Sequence, residues 1–308
     1  MKIISIVTPC YNEEDNINEL YERIRKVMGG LNYNYEHIFI DNASTDKTVD
    51  IIRTLAQKDK VVKAILNTRN FGHIRSPYHG LLQGSGDAVV IMASDLQDPP
   101  ERIADFIHKW EDGYKTVIGV KTKSQETGLF YFFRTLYYRL LRKLSDVELI
   151  EHYTGFGLYD KQIIKILNEL DDPYPYFRGI IADLGFPIAR VEFEQPRRKR
   201  GISKNNFYTL YDMAMLGMTG YTKIPLRLAT IFGFATAALS FLVALIYLFY
   251  KLLFWQQFSV GSAPIVIGLF FLGSVQLLFL GIVGEYIGAI YTQVMRRPLV
   301  IEKERINF

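Results

Sequence analysis

The stretch Val89–Glu101, VVIMASDLQDPPE, decides how the rest of the chain is read. An apolar run ends, acids follow, and Pro99 and Pro100 close the turn. That pattern predicts a strand delivering carboxylates to a loop at its C-terminal end. Paired acids in such a loop hold a divalent cation, because hard cations take oxygen ligands. The pair is broken here, since Ala93 stands two residues before Asp95. The bland alternative is a solvated turn whose acids favour the start of the next helix.

Outward from this stretch the N-terminal half alternates strand and helix patterns. IISIVTP, YEHIFID, VKAILN, DAVVIMA and KTVIGV are short apolar runs rich in β-branched residues. Between them lie helical patterns at NEEDNINELYERIRKVM, STDKTVDIIRTLAQKD, about 74–83 and about 102–111. Ser44 or Thr45 is the expected N-cap of the second helix. Strands alternating with helices predict a parallel, doubly wound α/β sheet. Ligands of such sheets bind beyond the carboxyl ends of the strands. The polar motifs PCYNE, DNASTD and SDLQD follow the first, second and fourth strands, so all three fall on that edge. Each alone reads as a turn and a cap; their shared edge points to a site.

The chain has 308 residues, 49% of them hydrophobic, and a net charge of +4. This length allows two domains. A lone cysteine, Cys10, excludes an internal disulfide framework and fits a reducing compartment. Met1 to Pro9 is too short for a secretory leader, and no nucleic-acid partner is expected. After about Lys223 the character changes. Leu228–Tyr250 carries no charged residue, nor does the stretch from Leu252 through Gly284, where a second helix is expected from near Pro264. Each meets the ~20 apolar residues that span a bilayer. A buried hairpin in a soluble core is the competing reading. Lys223 and Arg227 precede the first span, and Arg296, Arg297, Lys303 and Arg305 follow the second, whereas the loop between lacks Lys and Arg. The asymmetry puts both termini in the cytoplasm. The expected organisation is a cytoplasmic α/β domain over 1–222, a membrane hairpin over 223–295 and a cytoplasmic tail over 296–308. Residues 129–145 and 206–221 mix aromatic and basic or polar residues at helical spacing, as interfacial helices do. A packed core helix with a charged face is the alternative for the first.

TPCYNEEDNI, DNASTDKT, NTRNFG, SDLQDPPE, RGISK and the tail LGIVGEYIGAIYTQVMRRPL resemble the polyprenyl-phosphate glycosyltransferases, a group of the family-2 glycosyltransferases. The resemblance covers nearly the whole chain. It implies a GT-A fold, a nucleotide-sugar donor, Mg²⁺ or Mn²⁺, a polyprenyl (undecaprenyl) phosphate acceptor in the bacterial cytoplasmic membrane, inversion at the sugar, and a homo-oligomer. By the same resemblance Pro9, Tyr11, Glu13, Asp41 and Asp95 bind the donor, and Asp95 and Gln97 hold the metal. Lys121, Arg134, Arg198, Arg200, Ser203 and Lys204 receive the acceptor phosphate. Asp95, Gln97, Arg200 and Lys204 are the expected catalytic set. The donor is expected to be UDP-glucose or UDP-N-acetylglucosamine.

The chain departs from that pattern at Ala93, which replaces the first acid of an Asp-x-Asp. It departs again in TGFGLYD, where Gly155 and Gly157 stand at the places of an Asp and an Arg. A candidate base is therefore missing, with Asp160 or Glu151 as neighbours that could replace it. These losses keep open a catalytically degenerate nucleotide- or lipid-binding partner. A processive polysaccharide synthase is the third reading. It is disfavoured because neither Trp110 nor Trp255 lies in a Gln-x-x-Arg-Trp stretch.

Overall fold

The computed structural model describes residues 1–122, 153–196, 207–254 and 262–308. Its centre is an eight-stranded sheet: β1 (Ile3–Cys10), β2 (Asn34–Asp41), β3 (Val62–Asn67), β4 (Ala88–Ile91), β5 (Thr116–Lys121), β6 (Tyr153–Asp160), β7 (Ile188–Phe193) and β8 (Glu302–Ile306). The order across the sheet is β7-β5-β6-β4-β1-β2-β3-β8.

Helices cover both faces. On one side lie α1 (Ile17–Gly29), α2 (Thr48–Lys58) and α4 (Arg102–Glu111), whose Leu20, Ile24, Ile52 and Phe106 are buried. On the other lie α3 (Gly72–Leu82), α5 (Lys161–Leu170) and α6 (Phe177–Asp183), burying Tyr78, Ile163 and Ile180. The two-residue period of a strand makes this work: Ile4 and Ile6 join the first layer and Val7 the second.

The sheet is mixed, which corrects the expectation of an all-parallel one. Strand β6 runs antiparallel to both β4 and β5 and separates them. The sequence hid this strand because TGFGLYD holds two glycines, which are depleted in strands. A second correction concerns the start of α2. Ser44 and Thr45 do not cap it; the helix begins at Thr48, whose N–H donates to Asp46 Oδ1 at 3.0 Å. Ser44 is engaged by Asp41 instead.

The C-terminal half continues with α7 (Phe207–Tyr221), α8 (Ile224–Leu253) and α9 (Ser262–Val294). Within α8 and α9, Ile224–Val243 and Gly268–Val294 are long and apolar enough to cross a membrane, with mean hydropathies of 1.8 and 1.7 and none of either window buried. Helix α9 has 33 residues, about 50 Å at 1.5 Å per residue, well beyond a ~30 Å hydrocarbon core. Its last turns reach α7 and the loop after α5. Tyr211 Oη donates to Glu285 Oε1 at 2.8 Å, and Gln293 Nε2 donates to Asp172 Oδ1 at 2.9 Å. The chain then returns to the sheet, where β8 pairs antiparallel with β3, Leu66 opposite Glu304. The expected 296–308 tail is thus an edge strand. The expected interfacial helix at 129–145 and the basic run 197–204 lie outside the described residues.

Candidate active site

The loops after β1, β2, β3 and β4 meet at one edge, as the motif spacing predicts. PCYNE and DNASTD are laced together. Asn12 N donates to Ser44 Oγ at 2.9 Å, and Thr45 N donates to Asn12 Oδ1 at 2.7 Å. Glu13 N donates to Thr48 Oγ1 at 2.8 Å, and Glu13 Oε2 accepts from Asn16 Nδ2 at 2.6 Å. Three non-glycine residues take positive φ in these loops: Asn12 at 54°, Ala43 at 63° and Leu96 at 59°. Such conformations cost about 1–3 kcal/mol each and persist where the surroundings over-determine them, which is common at functional sites.

Asp41 ends β2 beside Cys10 of β1. Its carboxylate is buried and accepts from Ser44 Oγ at 2.5 Å and Ser44 N at 3.0 Å. Burial raises its pKa, and the Ser44 bonds oppose that rise. An ionised carboxylate offers about four acceptor positions, so this Asp both braces the loop and keeps acceptor capacity. Asn42, which sequence reasoning passed over, anchors the NTRNFG loop. Its Oδ1 accepts from Phe71 N at 2.8 Å, and its Nδ2 donates to Asn70 Oδ1 at 2.9 Å. Its place inside DNASTD was the available signal.

The turn after β4 brings Asp95 and Gln97 together, half-buried, with Gln97 N donating to Asp95 Oδ1 at 3.1 Å. Asp98, also missed, is buried behind them and accepts from Ala93 N at 2.9 Å. Burial pushes its carboxyl up to about 6; the Ala93 bond opposes, Asp95 adds to the rise, and Lys121 pulls it back. Lys121 therefore lies on this edge, and its Nζ donates to Gln195 Oε1 at 2.7 Å. Among the described residues no group of three or more His, Cys, Asp or Glu side chains could hold an ion by itself. One carboxylate and one amide do suit Mg²⁺ or Mn²⁺, which take their remaining oxygens from diphosphate and water.

Beside this turn a cavity of about 210 Å³ is lined by Pro9, Ala93, Asp98 and Gly155, and by His73 and Arg178. The protein around His73 and the nearby Arg178 lower its pKa, against Asp212. Gly155 has φ +105°, a conformation that L side chains rarely adopt, so the backbone here is built for glycine. Nothing in the sequence around Arg178 marked it. Of the expected acceptor-phosphate set only Lys121 is described; Arg134, Arg198, Arg200, Ser203 and Lys204 lie outside the described residues.

Residues 5–171 match the family described as Glycosyl transferase family 2. The chain is a family-2 glycosyltransferase. The mixed sheet with helices on both faces is its GT-A arrangement. Residues 224–290 match the GtrB C-terminal hairpin, which coincides with α8 and α9. An uncharacterized glycosyltransferase YkcC of Bacillus subtilis (strain 168) is 37% identical, over 96% of this chain and 92% of that one. An SfII prophage-derived bactoprenol glucosyl transferase of Shigella flexneri is 34% identical, over 98% and 97%. Glucosyl-3-phosphoglycerate synthase from Mycobacterium tuberculosis, solved with Mn²⁺, uridine-diphosphate-glucose and phosphoglyceric acid, overlaps 71% of this family-2 glycosyltransferase and 78% of its own chain, at 19% identity and TM-score 0.46.

Proposed function

We propose that this glycosyltransferase moves one sugar from a nucleotide-sugar donor, UDP-glucose or UDP-N-acetylglucosamine, to polyprenyl phosphate at the cytoplasmic face of the membrane, with inversion. One observation carries the reading: the motif-bearing edge of a GT-A sheet and a hairpin long enough to span a bilayer belong to one hydrogen-bonded body, joined at Gln293–Asp172 and by β8. The bactoprenol glucosyl transferases among the relatives share nearly its whole length.

In this reading Pro9, Tyr11, Glu13 and Asp41 border the nucleotide, and Asp95 with Gln97 would hold Mg²⁺ or Mn²⁺ against the diphosphate. Charge neutralisation on the leaving diphosphate is the chemistry such an ion supplies when bound. The chain's own tasks are positional. An oxygen of the lipid phosphate forms a bond to the anomeric carbon as the bond to the diphosphate breaks on the opposite face, and the electron pair leaves with the nucleotide. A phosphate monoester has its second pKa near ~6, so the nucleophile is already ionised at neutral pH and no protein base is required. That accounts for a site in which Ala93 and Gly155 stand where relatives carry acids. Lys121 and the run Arg198–Lys204, with Arg134, would draw the dianion to the edge and close over the phosphates.

The test is incubation of the full chain with Mg²⁺ or Mn²⁺, polyprenyl phosphate and a panel of labelled nucleotide sugars, followed by organic extraction. Label from one donor enters the organic phase. Folded protein that transfers from none of them refutes the reading.

A further inference from the structure

We propose that Arg178, with His73 beside it, receives the phosphate of the lipid acceptor in the cavity between the β4 turn and α6. The inference deepens the function proposed above and rests on it.

Several observations meet at this place. The cavity holds about 210 Å³, several times the ~30 Å³ that a water molecule takes in the liquid. Arg178 is half-buried on its wall, and it makes no hydrogen bond or ion pair with another described residue. Among the described residues, the carboxylates at the cavity and at His73 are engaged elsewhere. Asp98 accepts from Ala93 N, and Asp212 accepts from Tyr174 Oη at 2.8 Å. Ala93 and Gly155, which also line the cavity, bring no carboxylate to this guanidinium. A guanidinium withdrawn from water and left without an anion is costly, and a phosphate matches its fork with two parallel hydrogen bonds. A neutral His73 can add one N–H donor.

The wall that carries Arg178 is also fixed relative to the membrane helices. A Cβ on the neighbouring Gly179 would come within 2.4 Å of the Tyr221 ring, so α6 can lie this close to α7 only with glycine there. Tyr176 and Tyr221 pack with ring centroids 5.7 Å apart. The next residue, Thr222, accepts from Tyr286 Oη of α9 at 2.7 Å. Arg178 thus sits on the cavity wall braced by the hairpin, the side from which a lipid-borne phosphate arrives. The same cavity is lined by Ala93 and Asp98 of the acidic turn after β4.

The test uses full-length protein in detergent micelles. Arg178→Ala raises the acceptor KM about tenfold to a hundredfold, as expected for loss of charge-assisted hydrogen bonds, and leaves the donor KM within about twofold. Arg178→Lys falls between the two proteins, and it stands in if the alanine variant does not fold. His73→Gln gives a smaller rise of the same kind. A second arm needs no turnover. Geranyl phosphate and geraniol are titrated against tryptophan fluorescence. The unaltered protein prefers the phosphate, and Arg178→Ala erases that preference. Unchanged acceptor KM and unchanged preference in the variant overturn the proposal, as does an effect confined to the donor KM. If the unaltered protein transfers no sugar but loses its phosphate preference with Arg178, the subsite stands and the proposed function falls.

Discussion

Trp110 Nε1 donates to Asp160 Oδ2 at 2.7 Å, and this bond ties Asp160 to α4, at the other end of β6 from Gly155. Asp160 also accepts from Gln162 N and Lys115 Nζ and caps α5. It pairs with Ala88 at the start of β4, whereas Gly155 lies five residues back along β6, about 17 Å away at ~3.4 Å per residue. Asp160→Asn therefore leaves kcat within about tenfold, below the ~10²–10⁴ contributed by a general base. Its effect is on stability. Burial would raise the Asp160 pKa, but the bonds from Trp110, Gln162 and Lys115 leave it lowered. A lowered folded pKa stabilises above the unfolded value of about 3.9, and that contribution is lost as pH falls through the folded value. Thermal melts from pH 7 down to the acid limb test this: the difference between wild type and Asp160→Asn shrinks as the pH drops.

Asp95→Asn removes the carboxylate assigned to the metal and the diphosphate. Turnover is lost, several kcal/mol of barrier, while the fold persists. Ala93→Asp changes kcat by less than about tenfold, or 1.4 kcal/mol. Label transfer to the organic phase at saturating metal measures both, and near-normal activity of Asp95→Asn would remove it from the metal site.

Gly155→Asp asks whether a base is missing or unnecessary. The φ of +105° makes any side chain there strained, at a cost of about 1–3 kcal/mol. The variant melts lower and gains no kcat. A rise in kcat would show that the reaction had lacked a base.

Topology can be read with single cysteines. Cys10 is buried beside Ile40 and Asp41, and burial pushes its thiol pKa well up, so the native chain gives little background labelling. Phe254→Cys, at the far end of α8, reacts with an impermeant thiol reagent on intact cells. Phe308→Cys, next to β8, reacts only after the membrane is opened. The reverse pattern inverts the orientation.

The Arg53–Glu304 pair, at 2.8 and 2.5 Å, is solvent-screened, so Glu304→Gln leaves the thermal melt almost unchanged. Ending the chain after Pro298 is different in kind. It uncovers the β3 edge and the Asn307 bonds to Ala56 O and Val62 O. The truncated protein aggregates, as exposed sheet edges do, and gel filtration detects it.

Much of this was legible beforehand. The apolar runs marked β1 to β5 because each is a buried strand with polar residues at one end, and the uncharged spans marked α8 and α9 because lipid tolerates little else. What escaped depends on partners far away in sequence. β6 was read as a motif because its glycines suppress strand propensity. β8 was read as a tail because EKERI is an edge strand, charged where it faces solvent. Ser44 looked like a cap, yet Asp41 three residues earlier competes for its hydroxyl. Arg178 has no local pattern, and its surroundings assemble from five elements.

Strand β8 follows the apolar hairpin in the chain, so it leaves the ribosome after α8 and α9. Until α8 and α9 have been made and seated, the catalytic sheet ends at an open β3. Completion of the sheet is therefore timed by synthesis of the apolar hairpin, and under the proposed function the finished body would close at the bilayer that holds its acceptor.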